Sequence, residues 1–208
     1  MKLLGIVGSP RERGNSFLLM EKVMQSAKKE KPTLLTEIIQ LSRQKIKPCR
    51  ACQSCADDPY ICMQQDDLNE IYKRMKKADG IIFATPSYGP IGACPSVMQA
   101  FLERIANLSH LPSLKNKKFA FPLKDKPCGL IVVSIESQEK ALVVLNNLEQ
   151  YVLAYGMKPV HIKNSSSLGV SGKGNEAGDV LDDKGAVEDS KLLGKLLAKA
   201  ISPQLRLD

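Results

Sequence analysis

Four cysteines fall within fourteen residues, at Cys49, Cys52, Cys55 and Cys62, in a chain that has only six. Their spacing is C-x2-C-x2-C-x6-C, inside the stretch KPCRACQSCADDPYICMQQDDL that covers residues 47–68. Thiolates repeated every third residue of a tight loop can reach three corners of an iron–sulfur cube, and one slightly further on completes a four-thiolate ligand set. Zinc more often draws on two separated C-x2-C pairs, although four thiolates suffice for it. Disulfides fit poorly wherever thiols stay reduced. Three readings follow from spacing: a [4Fe–4S] cluster, zinc, or cysteines that hold no metal.

Two further loops offer chemistry of another kind. GIVGSPRERGNS (residues 5–16) lacks the Gly-Lys-Ser/Thr of a P-loop and the Gly-x-Gly-x-x-Gly of a dinucleotide fold. It offers Ser9, Asn15 and Ser16 as donors, Arg11 and Arg13 as cations, and the free N–H groups of a helix start. That set suits a terminal phosphate, although a plain turn with an N-cap would also account for Asn15 and Ser16. In FATPSYGPIGACP (83–95), Pro86 and Pro90 stiffen the chain, Gly89 and Gly92 allow close backbone approach, and Tyr88 supplies a flat face.

The elements that must position these residues alternate along the chain. Apolar runs at Leu3–Val7, Leu34–Leu41, Ile81–Ala84, Gly129–Ser134 and Lys158–Ile162 read as strands. Helical periodicity follows each: from Ser16, from Leu68 after Asp66 and Asp67 as an N-cap, over Val97–Leu108, over Leu142–Val152, and at Leu192–Ile201. Five strands alternating with helices imply one parallel sheet covered on both faces, as a single domain over 1–208 with a cysteine insertion at about 47–66. The polar span 164–187 reads as a surface loop without chemistry. In such a sheet, ligands bind outside the carboxyl ends of the strands, at the switch point between strands one and three. Both loops lie there, and a phosphate-bearing planar ring spanning them would be FMN. SIESQEK (134–140) leaves strand four at the same edge, where Ser134, Glu136, Ser137 and Gln138 offer hydrogen bonds to the ring's rim.

Composition narrows the classes. The chain has 208 residues, 43% hydrophobic and 25% charged, which is ample for one core and argues against wholesale disorder. No run of about 18 apolar residues appears, and the apolar start is too short for a signal peptide, so a soluble cytoplasmic protein is expected, with no membrane partner. A net charge of +8 favours acidic partners. Nucleic acid is disfavoured, because aromatics make up only 5%, Trp is absent and no nucleic-acid-binding signature occurs. LKNKKFAFPLKDK (114–126), with five lysines, reads as a solvated loop or as a docking face for an acidic donor. Cys94 and Cys128 read as packing residues, and His110 and His161 carry no assigned role.

The strings GSPRERGNS and ADGIIFATPSYGPIGACPSVMQAFLER, with the closing GDVLDDKGAVEDSKLLGKLLAKAI, resemble the flavodoxin-like, NADPH-dependent FMN reductase superfamily. Gln99 and Glu103 stand where Lys and Asp are commoner in that family. With the cysteine spacing added, the chain is similar to the iron–sulfur flavoproteins. The resemblance implies a flavodoxin-like doubly wound α/β fold with strand order 2-1-3-4-5 and the cysteine-rich loop after strand two. It implies FMN held by Ser9, Arg11, Asn15 and Ser16 at the phosphate and by Pro86, Ser87, Tyr88 and Gly89 beside the ring, with Ser134 at its rim. Cys49, Cys52, Cys55 and Cys62 would hold a [4Fe–4S] cluster. The implied activity is an FMN-dependent oxidoreductase that takes electrons from a one-electron donor, ferredoxin in the first instance, and delivers them to a small acceptor. The resemblance also implies close subunit association, as a homodimer or homotetramer. The alternatives are a cluster-free NAD(P)H-dependent flavin or quinone reductase, and a zinc-stabilised flavodoxin-like carrier without turnover.

Overall fold

A computed structural model describes residues 1–58, 60–135, 138–162 and 168–201. Its elements are β1 (Lys2–Val7), α1 (Asn15–Glu30), β2 (Leu35–Gln40), α2 (Leu68–Lys77), β3 (Gly80–Pro86), α3 (Ser96–Lys115), β4 (Pro127–Ser134), α4 (Gln138–Ala154), β5 (Lys158–Pro159), β6 (Val170–Lys173) and α5 (Lys184–Ala200). All strand pairings are parallel, in the order β2-β1-β3-β4-β5, with β6 also on β4. The α/β fold and strand order expected from the sequence are therefore observed.

The strands read as unbroken apolar runs because helices cover both faces. Side chains alternate across the sheet: Leu4, Ile6, Ile81, Phe83, Leu130 and Val132 join the core under α2, α3 and α4. Leu3, Val7, Ile82, Ala84, Ile131 and Val133 join the core under α1 and α5. Helix α2 places Leu68, Ile71, Tyr72 and Met75 inward, the stripe that its sequence spacing predicts. No helix among the described residues is long and apolar enough to cross a membrane.

Two expectations are corrected. The fifth strand does not run from Lys158 to Ile162; it pairs at Lys158–Pro159 and resumes as β6. The offset to β4 is 31 residues in the first register (Pro127 with Lys158) and 39 in the second (Ile131 with Val170), a shift of eight. The span expected to be loop thus contributes a strand, and the backbone N–H of Gly174 continues the pairing by donating to the Ser134 carbonyl at 3.0 Å. Second, α3 runs past Leu108 to Lys115 with Pro112 inside it.

Candidate functional site

The first loop is tied to the sheet where Gly8 N–H donates to the Ala84 carbonyl at 2.8 Å. The loop ends at Gly14, which occupies the N-cap of α1 and brings no side chain to cap it. Asn15 and Ser16 are therefore the first helical residues rather than caps, and by helix geometry their N–H groups lack intrahelical partners. Ser9, Asn15 and Ser16 are buried, and the Ser9 hydroxyl accepts from Arg11 N–H at 3.2 Å.

A cleft opens here, lined by Ser9, Arg11 and Ser16 from this loop and by Pro86, Ser87 and Tyr88 from the loop after β3. Its volume is about 90 Å³, which fits a phosphate group but not a whole flavin. A second hollow of about 310 Å³ adjoins it through Ser87 and Ile135, and there Gly89 and Ser134 join the lining. The structure thus brings together all nine residues expected at a flavin. The loop after β3 folds as a tight hairpin in which Tyr88 and Ala93 exchange backbone hydrogen bonds of 2.7 and 2.9 Å. Gly89 and Gly92 take left-handed φ values of 70° and 72°, and Tyr88 is left 54% exposed at the rim.

Asn15 lines the cleft, but its carboxamide is committed elsewhere. It donates to the Glu176 carbonyl at 2.8 Å and accepts from Gly178 N–H at 2.9 Å. Arg11 likewise donates to the Asn175 carbonyl at 2.6 Å. Gly174 and Asn175 complete the cleft wall. Sequence reading missed both, because the short strand before them, Val170–Lys173, is defined by its pairing with β4 rather than by a pattern of its own. Of the rim residues expected after β4, Gln138 opens α4 and faces a neighbouring hollow, while Glu136 and Ser137 lie outside the described residues.

The cysteine segment follows β2 and a short 3-10 turn at Leu41–Arg43. Asp66 and Asp67 do more than start α2: the Asp67 side chain makes no cap bond. Instead Asp67 accepts from Lys45 N–H at 2.6 Å and Asp66 from Lys47 N–H at 2.9 Å, while Gln64 donates to the Pro48 carbonyl at 3.0 Å. These bonds close the mouth of the loop. Inside it, Ala51 and Gln53 take left-handed φ values of 51° and 59° between successive cysteines, and Ser54–Ala56 forms a 3-10 turn. Alternation of left- and right-handed backbone turns N–H groups inward into the concavities typical of anion and Fe–S sites.

Helix α3 is the template on which the loop lies. Buried Arg104 donates through both terminal nitrogens to Asp66 and to the Lys47 carbonyl. Burial works against its charge, and the bonds to Asp66 and Cys62 outweigh that and keep it protonated. Asn107 donates to Cys49 Sγ at 3.4 Å. Asn69 holds the Cys62 backbone at both its N–H and its carbonyl, each at 2.8 Å.

All four thiols are free. Burial pushes the Cys55 thiol up, and the neighbouring Cys62, Cys52 and Cys49 push it further. Cys52 is exposed, and its thiol is lowered, chiefly by the Ser54 hydroxyl at 3.2 Å. Among the described residues no three His, Cys, Asp or Glu side chains converge at metal-binding distance. The thiols are neighbours on one loop, a donor set that matches four-thiolate ligation, rather than a closed cage. Asn107, beside Cys49, lies eleven positions along α3 from Ser96, beside the flavin loop, a rise of about 16 Å.

The remaining sequence expectations sort plainly. Cys128 is fully buried, and Cys94 is half-buried against the core with its thiol pushed up to about 11 by burial, as packing residues should be. His161 pairs with Glu149 at 2.6 Å. Lys126 departs from the solvated lysine loop: it is buried and donates to the Lys76 and Ala78 carbonyls at the end of α2.

With this geometry in view, comparison with known proteins is specific. The family model described as NADPH-dependent FMN reductase matches residues 1–167. An iron–sulfur flavoprotein of Methanocaldococcus jannaschii is 29% identical over 202 residues, covering 97% of each chain. One from Methanosarcina thermophila is 36% identical over 118 residues, 56% of this chain and 59% of that one. Among solved structures, the Trp repressor binding protein of Bacillus subtilis superposes with a TM-score of 0.60 at 24% identity, over 92% of this chain and 99% of that one. RosB with its bound riboflavin-phosphate intermediate gives 0.66 at 18% identity, over 96% and 76%. At these identities the structural matches establish the fold.

Proposed function

The chain belongs to the NADPH-dependent FMN reductase family and is an FMN-dependent oxidoreductase; within that activity we propose that it works as an iron–sulfur flavoprotein. The observation that carries this reading is four free thiols on one short loop that Arg104 and Asn107 fasten to α3.

Ser9, Arg11, Ser16 and the uncapped start of α1 would hold the FMN phosphate, with Asn15 bracing the wall behind it. Pro86, Ser87, Tyr88, Gly89 and Ser134 would flank the ring, and Tyr88 offers its face from the rim. Cys49, Cys52, Cys55 and Cys62 would hold a [4Fe–4S] cluster. Bound together, the two groups supply one-electron exchange and two-electron flavin chemistry, so no side chain needs to act as acid or base. Arg104 places positive charge beside Cys62, and Asn107 a hydrogen-bond donor on Cys49.

The donor is proposed to be a ferredoxin-like acidic protein, since Lys45, Lys47 and Arg50 are exposed on the cysteine loop and the chain carries +8 overall. Tyr60, Ile61 and Met63 stand exposed on the same loop and support the proposal that a second copy packs there, as a homodimer or homotetramer in the cytoplasm.

Anaerobic purification followed by iron, sulfide, zinc and flavin analysis tests the reading. The expected result is one FMN and about four irons with equal sulfide per chain. Flavin without iron would instead support a cluster-free NAD(P)H-dependent reductase, and zinc a metal-stabilised carrier.

A further inference from the structure

Helix α3 meets the cysteine loop with two polar side chains about one turn apart, Arg104 and Asn107. Positions three apart on a helix share a face, so one rigid surface presents both. Asn107 is half-buried and donates through Nδ2 to Cys49 Sγ at 3.4 Å, where Ala51 N–H also donates at 3.4 Å. Arg104 is buried and lies beside Cys62. Cys52, by contrast, is exposed. The loop thus turns Cys49 and Cys62 toward donors on α3 and leaves Cys52 to solvent.

Arg104 carries one more donor than the loop's mouth uses. Its Nη1 serves the Lys47 carbonyl and Asp66, and its Nη2 serves Asp66. Its Nε is buried and has no partner among the described residues. A buried donor left unpaired is costly, the more so on a charged group. Sulfur at Cys62, as a thiolate or as a sulfide that it helps to hold, is an acceptor that fits this donor.

Asp66 decides how such a contact acts. Its carboxylate offsets the charge of Arg104 at any distance longer than the ion pair itself, so the pair adds little net field. What remains is a directed N–H, the same thing that the uncharged Asn107 supplies at Cys49. Donors to the sulfurs of an iron–sulfur cluster favour its reduced, more negative state, which raises the reduction potential.

Given the iron–sulfur reading, on which this rests, we propose that Arg104 and Asn107 set the reduction potential of the [4Fe–4S] centre by hydrogen-bonding its sulfurs at Cys62 and Cys49. They hold it above the value that four thiolates alone would give, so that a weaker one-electron donor suffices to reduce it.

The test is a redox titration of the anaerobically purified, FMN-loaded protein, with the cluster followed by electron paramagnetic resonance and the flavin by absorbance. Asn107→Leu keeps the volume without a donor, and Asn107→Gln puts a donor back. Arg104→Lys keeps a charge for Asp66 but has no second nitrogen for the sulfur. At the poise that half-reduces the wild-type cluster, Asn107→Leu and Arg104→Lys should each lower its reduced-to-oxidised ratio about tenfold, equal to about 59 mV for one electron. Asn107→Gln should return close to wild type. In Asn107→Leu the iron content, flavin potential and melting temperature should not change.

An unmoved or raised cluster potential in Asn107→Leu overturns the proposal, as does loss of its iron. A fall that Asn107→Gln does not reverse also overturns it, since that marks a packing effect. Iron lost from Arg104→Lys overturns the Arg104 half, by showing that the residue is needed for assembly. A wild-type chain that purifies without iron, or with zinc, defeats the iron–sulfur reading itself, an outcome distinct from an unmoved potential in a four-iron protein.

Discussion

Arg104 of α3 and Asp66 at the mouth of the cysteine loop form a two-pronged ion pair whose side chains are both 1% exposed. The pair joins the helix that follows the flavin loop to the segment that carries the thiols. Because Asp66 also accepts from Lys47 N–H and Arg104 also donates to the Lys47 carbonyl, both strands of the loop's mouth depend on it.

Breaking one side of a buried pair leaves an uncompensated charge, which typically costs about 3–5 kcal/mol. Asp66→Asn should therefore lower unfolding stability by about that amount in urea and make residues 47–66 newly sensitive to limited proteolysis. A loss below about 1 kcal/mol would mean that the pair is not shielded from water in solution.

The same pair sets an acid limit. Burial pushes the Asp66 carboxyl up, but its bonds from Arg104 and from Lys47 N–H outweigh this and hold it below the ordinary 3.8. A depressed folded pKa contributes stability that is complete above the unfolded value and is lost as pH falls through the folded one. Stability followed from pH 6 downward should thus stay level to about pH 4 and then decline, and Asp66→Asn should remove part of that decline. An unchanged acid slope in Asp66→Asn would place the acid sensitivity in other carboxylates.

How far the sequence discloses this architecture depends on how local the signal is. The phosphate loop, the Pro-Gly loop after β3 and the cysteine run each carry their chemistry within about a dozen residues, and each lies where the alternation of strands and helices puts it. The second half of the edge strand was not legible. Val170–Lys173 is four residues long, with two of them buried, and its identity comes from register with β4 rather than from its own periodicity. Arg104 was equally hidden, because a single arginine on a helix reads as solvated until Asp66, 38 residues away, is brought to it. Asn15 shows the converse: its type suggested a phosphate donor, yet its carboxamide braces a loop more than 160 residues away.

Gly174 tests whether that braced wall shapes the flavin cleft. A Cβ there would stand 2.7 Å from Asn15 Nδ2 and 2.9 Å from Val180 N, so neither neighbour could stay in place. Gly174→Ala should weaken FMN by about tenfold, or about 1.4 kcal/mol, in a flavin-fluorescence titration. A fall in melting temperature with unchanged FMN affinity would show the wall to be structural only.

The sharpest test of the cysteine loop is Cys52→Ser, because Cys52 alone combines exposure with a readied thiol. Cys55 and Cys62 pack against the core, so replacing either would disturb folding as well as ligation. Cys52 is exposed, and chiefly the Ser54 hydroxyl draws its thiol below the usual range. In the iron-free chain, partial alkylation read by mass spectrometry should therefore label Cys52 ahead of Cys55, whose thiol burial and its neighbours push up. In the anaerobic preparation, Cys52→Ser should lose most of its iron and sulfide while keeping FMN stoichiometry and melting temperature. Iron retained in full would remove Cys52 from the ligand set. Loss of FMN together with iron would show that the loop supports the flavin cleft mechanically, through α3, rather than serving as a separate centre.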